Sequence, residues 1–190
     1  MVMKSLYPCV IACLLLATPA FGQTASVNTE GSTLSYTGSH PAHDWTGVSK
    51  QVTGEITFNA DAPAESSVMI KAPIASFDSG NDNRDSNMLD VVNELDHQHV
   101  TFTSESIEVT EWNATGDGYT GQWQVSGTLN FHGQRRPLTI PATVTVSSGQ
   151  FQAVAAFPVS LEEHKVKRPK LLLVPIKDNL QMEATIVATL

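Results

Sequence analysis

Cysteine is nearly absent from this chain: there are only Cys9 and Cys13, and both fall within the first 22 residues. That stretch, MVMKSLYPCVIACLLLATPAFG, carries one positive charge at Lys4, an apolar run from about Val10 to Ala17, and small residues around Ala20 and Gly22. It reads as a secretory signal peptide, so residues 1–22 are expected to be removed and the mature protein to be periplasmic or secreted. What remains, residues 23–190, has no thiol, and a disulfide framework is excluded. Stability must come from a core, and a single domain of about 168 residues buries roughly 70% of the surface its unfolded chain exposes.

Positive charge is also scarce, with 11 Lys and Arg against 19 Asp and Glu and a formal charge of −8 that becomes −9 once Lys4 leaves. Nucleic acid is therefore excluded as a partner, since phosphate backbones require a basic face. The same balance gives no general support for adsorption to an anionic membrane. No apolar run approaches the roughly 20 residues of a membrane helix, so the mature chain has no integral helical segment. Catalytic signatures are missing as well: there is no G-x-S-x-G elbow, no H-E-x-x-H and no cofactor motif, and neither an enzyme nor a cofactor is expected.

What is present from Val27 onward is alternation. In YTGQWQVSGTLNF, Tyr119, Trp123, Val125, Leu129 and Phe131 share one parity with Gly121 and Gly127. PLTIPATVTVSS repeats the pattern with Leu138, Ile140, Ala142, Val144 and Val146, and the intervening Gly133 and Pro137 mark a reversal, so the two form an antiparallel hairpin. QFQAVAAFPVSL and the terminal LQMEATIVATL continue in the same way. Earlier strands are expected at Leu34–Thr37, Val52–Asn59, Ser67–Pro73 and Val100–Val109. One stretch has helical spacing, with Met88, Leu89, Val92 and Leu95 as its stripe, Asn83 or Asp82 as cap and Asp85 in its first turn. Eight or so antiparallel strands with one short helix fit a barrel or a sandwich. Small residues at inward positions (Gly121, Gly127, Ala142, Ala153, Ala155) leave room for a cavity.

Three clusters invite a chemical reading. SHPAHDW places His40, His43, Asp44 and Trp45 together, and DHQH adds His97 and His99. A composite metal site from His40 or His43 with His97 or His99 needs the two stretches to meet, because a metal requires three or four converging ligands. Hydrogen-bonded or surface histidines are the plainer reading, with Asp44 accepting from loop amides and Trp45 lining one end of a cavity. SGNDNRDSN reads first as a turn into a capped helix, with Arg84 and Asp85 either an ion pair or a ligand contact. In SLEEHKVKRPKLLLVPIKDN, four positive charges from Lys165 to Lys170 precede LLLV. This is either a loop running into a covering segment or a basic lip beside an apolar mouth. The two arginines of HGQRRP, at a hairpin tip, are expected to be solvated.

Taken in order, the blocks HDW…GEITF, IASFDSGNDNRDSNMLDVVNELDHQHVTFTSESI and VSGTLNFHGQRRPLTIPATV resemble the YceI-like family of bacterial secreted lipid-binding proteins. Arg84 and Asp85 match the family's Arg-Asp pair, and Gly133, Arg136 and Pro137 match its hairpin turn. Where many members carry aromatics after the helix start and a Tyr-Pro before Thr-Phe, this chain has VVNELDHQHVTF. The resemblance implies an all-β, eight-stranded antiparallel up-and-down barrel, lipocalin-like, with one short helix near the opening. It implies an apolar tunnel that holds an isoprenoid or quinone-like lipid. On that reading the cavity is lined by Trp45, Phe58, Met88, Leu89, Val92, Phe102, Trp123, Val125, Leu129 and Val144, with His43, Asp44, Arg84 and Asp85 as a polar rim. The competing readings are a metal-binding protein or metal-dependent enzyme using the four histidines, and a module whose interior is filled by its own side chains. A homodimer is compatible with the sequence.

Overall fold

The computed structural model describes residues 22–171 and 173–190; residues 1–21 of the expected signal peptide, with both cysteines, lie outside them. Twelve strands and one α-helix follow in the order β1 (Gln23–Ser26), β2 (Thr33–His40), β3 (His43–Ser49), β4 (Thr53–Phe58), β5 (Ser67–Pro73), α1 (Asp82–Val91), β6 (His99–Thr115), β7 (Gly118–Phe131), β8 (Gln134–Ser147), β9 (Gln150–Ser160), β10 (Lys170–Leu171), β11 (Val174–Pro175) and β12 (Asn179–Thr189). Ten of the strands form one antiparallel sheet, in the order β1-β4-β5-β6-β7-β8-β9-β12-β2-β3. The sheet curls on itself. Val27 bridges Ala188 at one end, and Val48 and Asp78 exchange backbone bonds of 2.9 and 3.1 Å near the other. The result is the expected lipocalin-like all-β architecture, with two more strands in the main sheet than the eight anticipated.

Alternation fixes which side chains face inward. Leu34, Tyr36, Gly38 and His40 on β2 are buried, as are Trp123, Val125 and Leu129 on β7, Ile140, Ala142, Val144 and Val146 on β8, and Phe151, Phe157 and Val159 on β9. On β6 the period breaks: register shifts fall between Ser104 and Ser106 and between Val109 and Glu111. Each β-bulge inserts one residue and flips the parity, which brings Phe102, Ile107 and Trp112 to the same side despite their odd spacing. Two turns use the left-handed region. His132 and Gly133 (φ 50° and 68°) join β7 to β8, and Ser148 and Gly149 (φ 49° and 76°) join β8 to β9, as a two-residue hairpin of primed type requires.

The helix is capped not by Asn83 or Asp82 but by Asn81, whose side chain accepts from the Arg84 N–H. Its apolar stripe is also shorter. Leu95 lies beyond the helix and is exposed, while Val92 packs with Ile74, Leu161, Val166 and Ile176 in a small second cluster.

The barrel is split at this same end. The β8 to β9 pairing stops at Ala142 and Ala155, so the upper halves of the two strands diverge. Residues 161–166 cross the gap. Arg136 Nε donates to the Glu163 carbonyl at 2.9 Å, and a His132 ring nitrogen meets the His164 carbonyl at 2.9 Å. Arg136 is thus a tether for the covering segment rather than a solvated tip.

Candidate functional site

The barrel interior holds a cavity of about 530 Å³, within the range of roughly 300–1,000 Å³ typical of small-molecule sites. Its wall comes from both halves of the sheet and from α1. Ala142, Ala155 and Ala184 stand directly opposite one another on β8, β9 and β12, and Ala153 lies between Val144 and Ile186 in the next row. These alanines face inward yet are only half-buried apart from Ala142, because the space before them is open. The inward glycines behave differently. A Cβ on Gly127 would meet the Phe102 ring at 2.9 Å, and one on Gly121 the Trp112 ring at 2.6 Å, so these positions seat aromatic rings instead of widening the cavity.

At the mouth, the β2–β3 hairpin uses the same device twice. Trp45 lies flat over Gly38, its cross-strand partner, and Tyr36 lies over Gly47. The Arg84 guanidinium sits 6.0 Å from the Trp45 ring, a cation–π distance. Arg84 and Asp85 are joined through Ser79 rather than to each other. Arg84 donates from Nε to Ser79 Oγ (2.8 Å) and from Nη2 to the Ser79 carbonyl (2.7 Å), while Asp85 accepts from the Ser79 amide (3.0 Å) and hydroxyl. The loop before α1 is thereby locked, and two of the guanidinium's donor positions are committed. The opposite end is closed by aromatics: Phe58 lies 5.7 Å from Phe151, 6.0 Å from Trp112 and 6.4 Å from Trp123 between ring centroids.

Of the side chains expected to line the cavity, Trp45, Met88, Val92, Phe102, Trp123, Val125, Leu129 and Val144 do so. Phe58 does not, because it is spent in the closing aromatic cluster. Leu89 turns to the Ile74–Val92 cluster instead. His43 and Arg84 stand at the mouth. Asp44 points outward from β3, exposed opposite Ser39, and its side chain has no hydrogen bond to a loop amide among the described residues. Asp85 is held by Ser79, outside the wall.

The four histidines are not brought together. His40 and His43 face each other across the hairpin, their ring centroids 6.4 Å apart, whereas His97 packs edge-on against His132 at 4.9 Å. Among the described residues no three His, Cys, Asp or Glu side chains converge as a metal site would need.

Three donors on this largely apolar wall have no acceptor among the described residues: the O–H of Tyr36, whose oxygen meets the Trp45 side chain, His40 Nε2 and Trp123 Nε1. The three residues are 8%, 7% and 3% exposed. The Ala42 amide donates to His40 Nδ1 at 3.1 Å, so in the neutral ring the proton resides on Nε2, and Nε2–H is a donor. Burial, with the nearby Asp85 charge adding to it, raises the Tyr36 phenol above its ordinary range and keeps its proton in place. An unsatisfied buried donor costs about 1–3 kcal/mol, so these three atoms favour any occupant that carries acceptors. The Tyr36 and His40 donors are not legible in the sequence, since neither the inward face of β2 nor the tautomer of His40 follows from local sequence, whereas the parity of β7 does place Trp123 on the wall.

The sequence matches the YceI-like domain over residues 26–188. No match was found among the curated proteins. Solved structures share the fold. The chain is 22% identical to Burkholderia cenocepacia BcnA, covering 86% of this chain and 99% of that one with a TM-score of 0.72. A polyisoprenoid binding domain from Saccharophagus degradans, implicated in plant cell wall breakdown, is 14% identical, with 87% and 97% covered and a TM-score of 0.70. The Campylobacter jejuni YceI protein is 15% identical, with 76% and 84% covered and a TM-score of 0.58. With a match that spans nearly the whole described chain and a barrel of the same build, this protein belongs to the YceI-like family.

Proposed function

We propose that the protein is a periplasmic or secreted carrier, not an enzyme, that holds an isoprenoid-type amphiphile with a neutral, quinone-like head. The observation that carries this reading is the largely apolar cavity running from the β2–β3 hairpin and α1 down to the Phe58–Trp123–Phe151 cluster. The polyisoprenoid binding described for the Saccharophagus relative supports the same class of ligand. A five-carbon isoprene unit contributes up to roughly 4 kcal/mol when buried, at about 0.8 kcal/mol per carbon. The tail therefore supplies affinity, and the head sets selectivity.

A neutral head fits the wall's scarcity of cations: Arg84, with two donor positions already committed to Ser79, and Lys170 at the mouth. Uncharged donors at Tyr36, His40 and Trp123 suit carbonyl oxygens instead. Trp45 and Trp123 both line the cavity, so their fluorescence reports occupancy. Titration with a short-chain prenylquinone should quench it saturably near one ligand per chain, and a prenyl pyrophosphate of equal tail length should bind at least tenfold more weakly. Equal or tighter pyrophosphate binding would overturn the neutral-head assignment.

A further inference from the structure

The covering segment between β9 and β12 ends in a feature that lipid carriage inside the barrel does not use. β10 and β11 form a two-stranded ribbon, with Lys170 opposite Pro175 and Leu171 opposite Val174. Its base belongs to the cavity mouth, where Pro169, Lys170, Leu171 and Ile176 line the wall. Its outer part is apolar and bare: Leu171 and Val174 are exposed, and Leu173 is 89% exposed. Leu173 also has φ of 71°, a conformation that Gly or Asn adopts more cheaply. A leucine so exposed in a glycine-type turn carries two costs that no contact among the described residues offsets.

The charge around the ribbon runs against the chain as a whole. Residues 162–170 hold Lys165, Lys167, Arg168 and Lys170 against Glu162 and Glu163, in a protein of formal charge −8. Arg168 is occupied, bonded to the Ile176 carbonyl at 3.0 Å and paired with Glu162 at 2.8 Å. Lys167 and Lys170 have no ion pair among the described residues and share a shallow groove with Asp90 and Val91 of α1.

We propose that this ribbon is a membrane-contact element. Leu171, Leu173 and Val174 enter the boundary between headgroups and acyl chains of an anionic bilayer, and Lys167 and Lys170 meet its lipid phosphates. An apolar tip with a basic flank is the combination that holds proteins at such interfaces. The overall negative field is screened beyond about 10 Å at 0.1 M salt, so the local patch governs close approach. Docked in this way, the cavity mouth faces the surface from which an amphiphile is taken or to which it is returned. This rests on the carrier reading, but it is tested without cargo.

The test is flotation of the purified exported protein with vesicles of phosphatidylglycerol and phosphatidylethanolamine, compared with phosphatidylcholine alone. Leu173→Asn, which suits the turn, should lower the partition constant by roughly tenfold or more. Lys167→Gln with Lys170→Gln should lower it by roughly 30-fold at low salt and should match the wild type at high salt. Leu95→Asn is the control, an equally bare leucine (85% exposed) on the turn after α1, and should change nothing. Failure of the wild type to float with anionic vesicles would overturn the proposal, as would equal losses in the Leu173 and Leu95 variants. So would a sedimenting dimer that Leu173→Asn converts to monomer, which would assign the ribbon to a second copy of the chain. None of these results alters what an organic extract of the protein contains, so the two readings fail separately.

Discussion

Replacing Ala155 by Leu should stabilise this protein while weakening its hold on a ligand, the reverse of what the same change does in a filled core. Ala155 faces inward between Ala142 and Ala184, on the cavity wall. The substitution adds three carbons, worth up to about 2.4 kcal/mol at roughly 0.8 kcal/mol per buried carbon. Ordering the leucine side chain costs about 0.5–1 kcal/mol. The net gain is about 1.5 kcal/mol, or roughly 3–6 °C in Tm for a domain of this size. Ala184→Leu should behave alike. The two should be tested singly, because cross-strand partners in contact do not add. Thermal unfolding of delipidated protein gives the stability, and quantitation of bound lipid in organic extracts gives the occupancy. Destabilisation by about 1–3 kcal/mol, the usual cost of overpacking, with lipid content unchanged, would refute the existence of usable space before Ala155.

Further outcomes follow from the same geometry. Affinity for a series of prenylquinones should rise with each isoprene unit and then level once the tail reaches the Phe58–Trp123–Phe151 end; a flat series in fluorescence titration would mean that the tail stays outside. Tyr36→Phe should leave binding of an alkyl prenyl chain intact but weaken a quinone by roughly tenfold, about the 1–1.5 kcal/mol of one hydrogen bond. The raised phenol of Tyr36 also contributes stability that is present below the ordinary tyrosine pKa of 10.0 and lost as pH rises toward its folded value; denaturant melts of Tyr36→Phe should lack this alkaline loss. Asp117 is the opposite case. Hydrogen bonds from Ser147 and Ser148 lower its pKa, so its contribution is present above the ordinary carboxylate range and lost as pH falls through the folded value. Asp117→Asn should flatten the acid limb of hydrogen-exchange protection at the β8–β9 turn.

How much of this was legible in the chain depends on where period and contact coincide. β7, β8, β9 and β12 are regular and half-buried, so the parity of Trp123, Val144, Phe151 and Met182 could be read directly. β3 carries no readable period because the inward residue that should mark it is Gly47, kept small to seat the Tyr36 ring, and β1 is too short to show one. β6 runs past the expected end at Val109 because two bulges reverse its parity. The cavity itself was half legible. The alanines do leave space, but the glycines read alongside them are filled by Trp112 and Phe102, which only the cross-strand register reveals. His40, a candidate metal ligand by sequence, is made a buried donor at the mouth by its place on β2 and the bond from the Ala42 amide.

A barrel with open space before Ala153, Ala155 and Ala184 should be filled by a lipid from outside the chain. Mass spectrometry of an organic extract from the protein, purified without detergent, tests this most directly. One prenylquinone or related isoprenoid species near one per chain is the expected result. An empty extract from a folded protein, with Trp45 and Trp123 fluorescence indifferent to added prenylquinone, would contradict it.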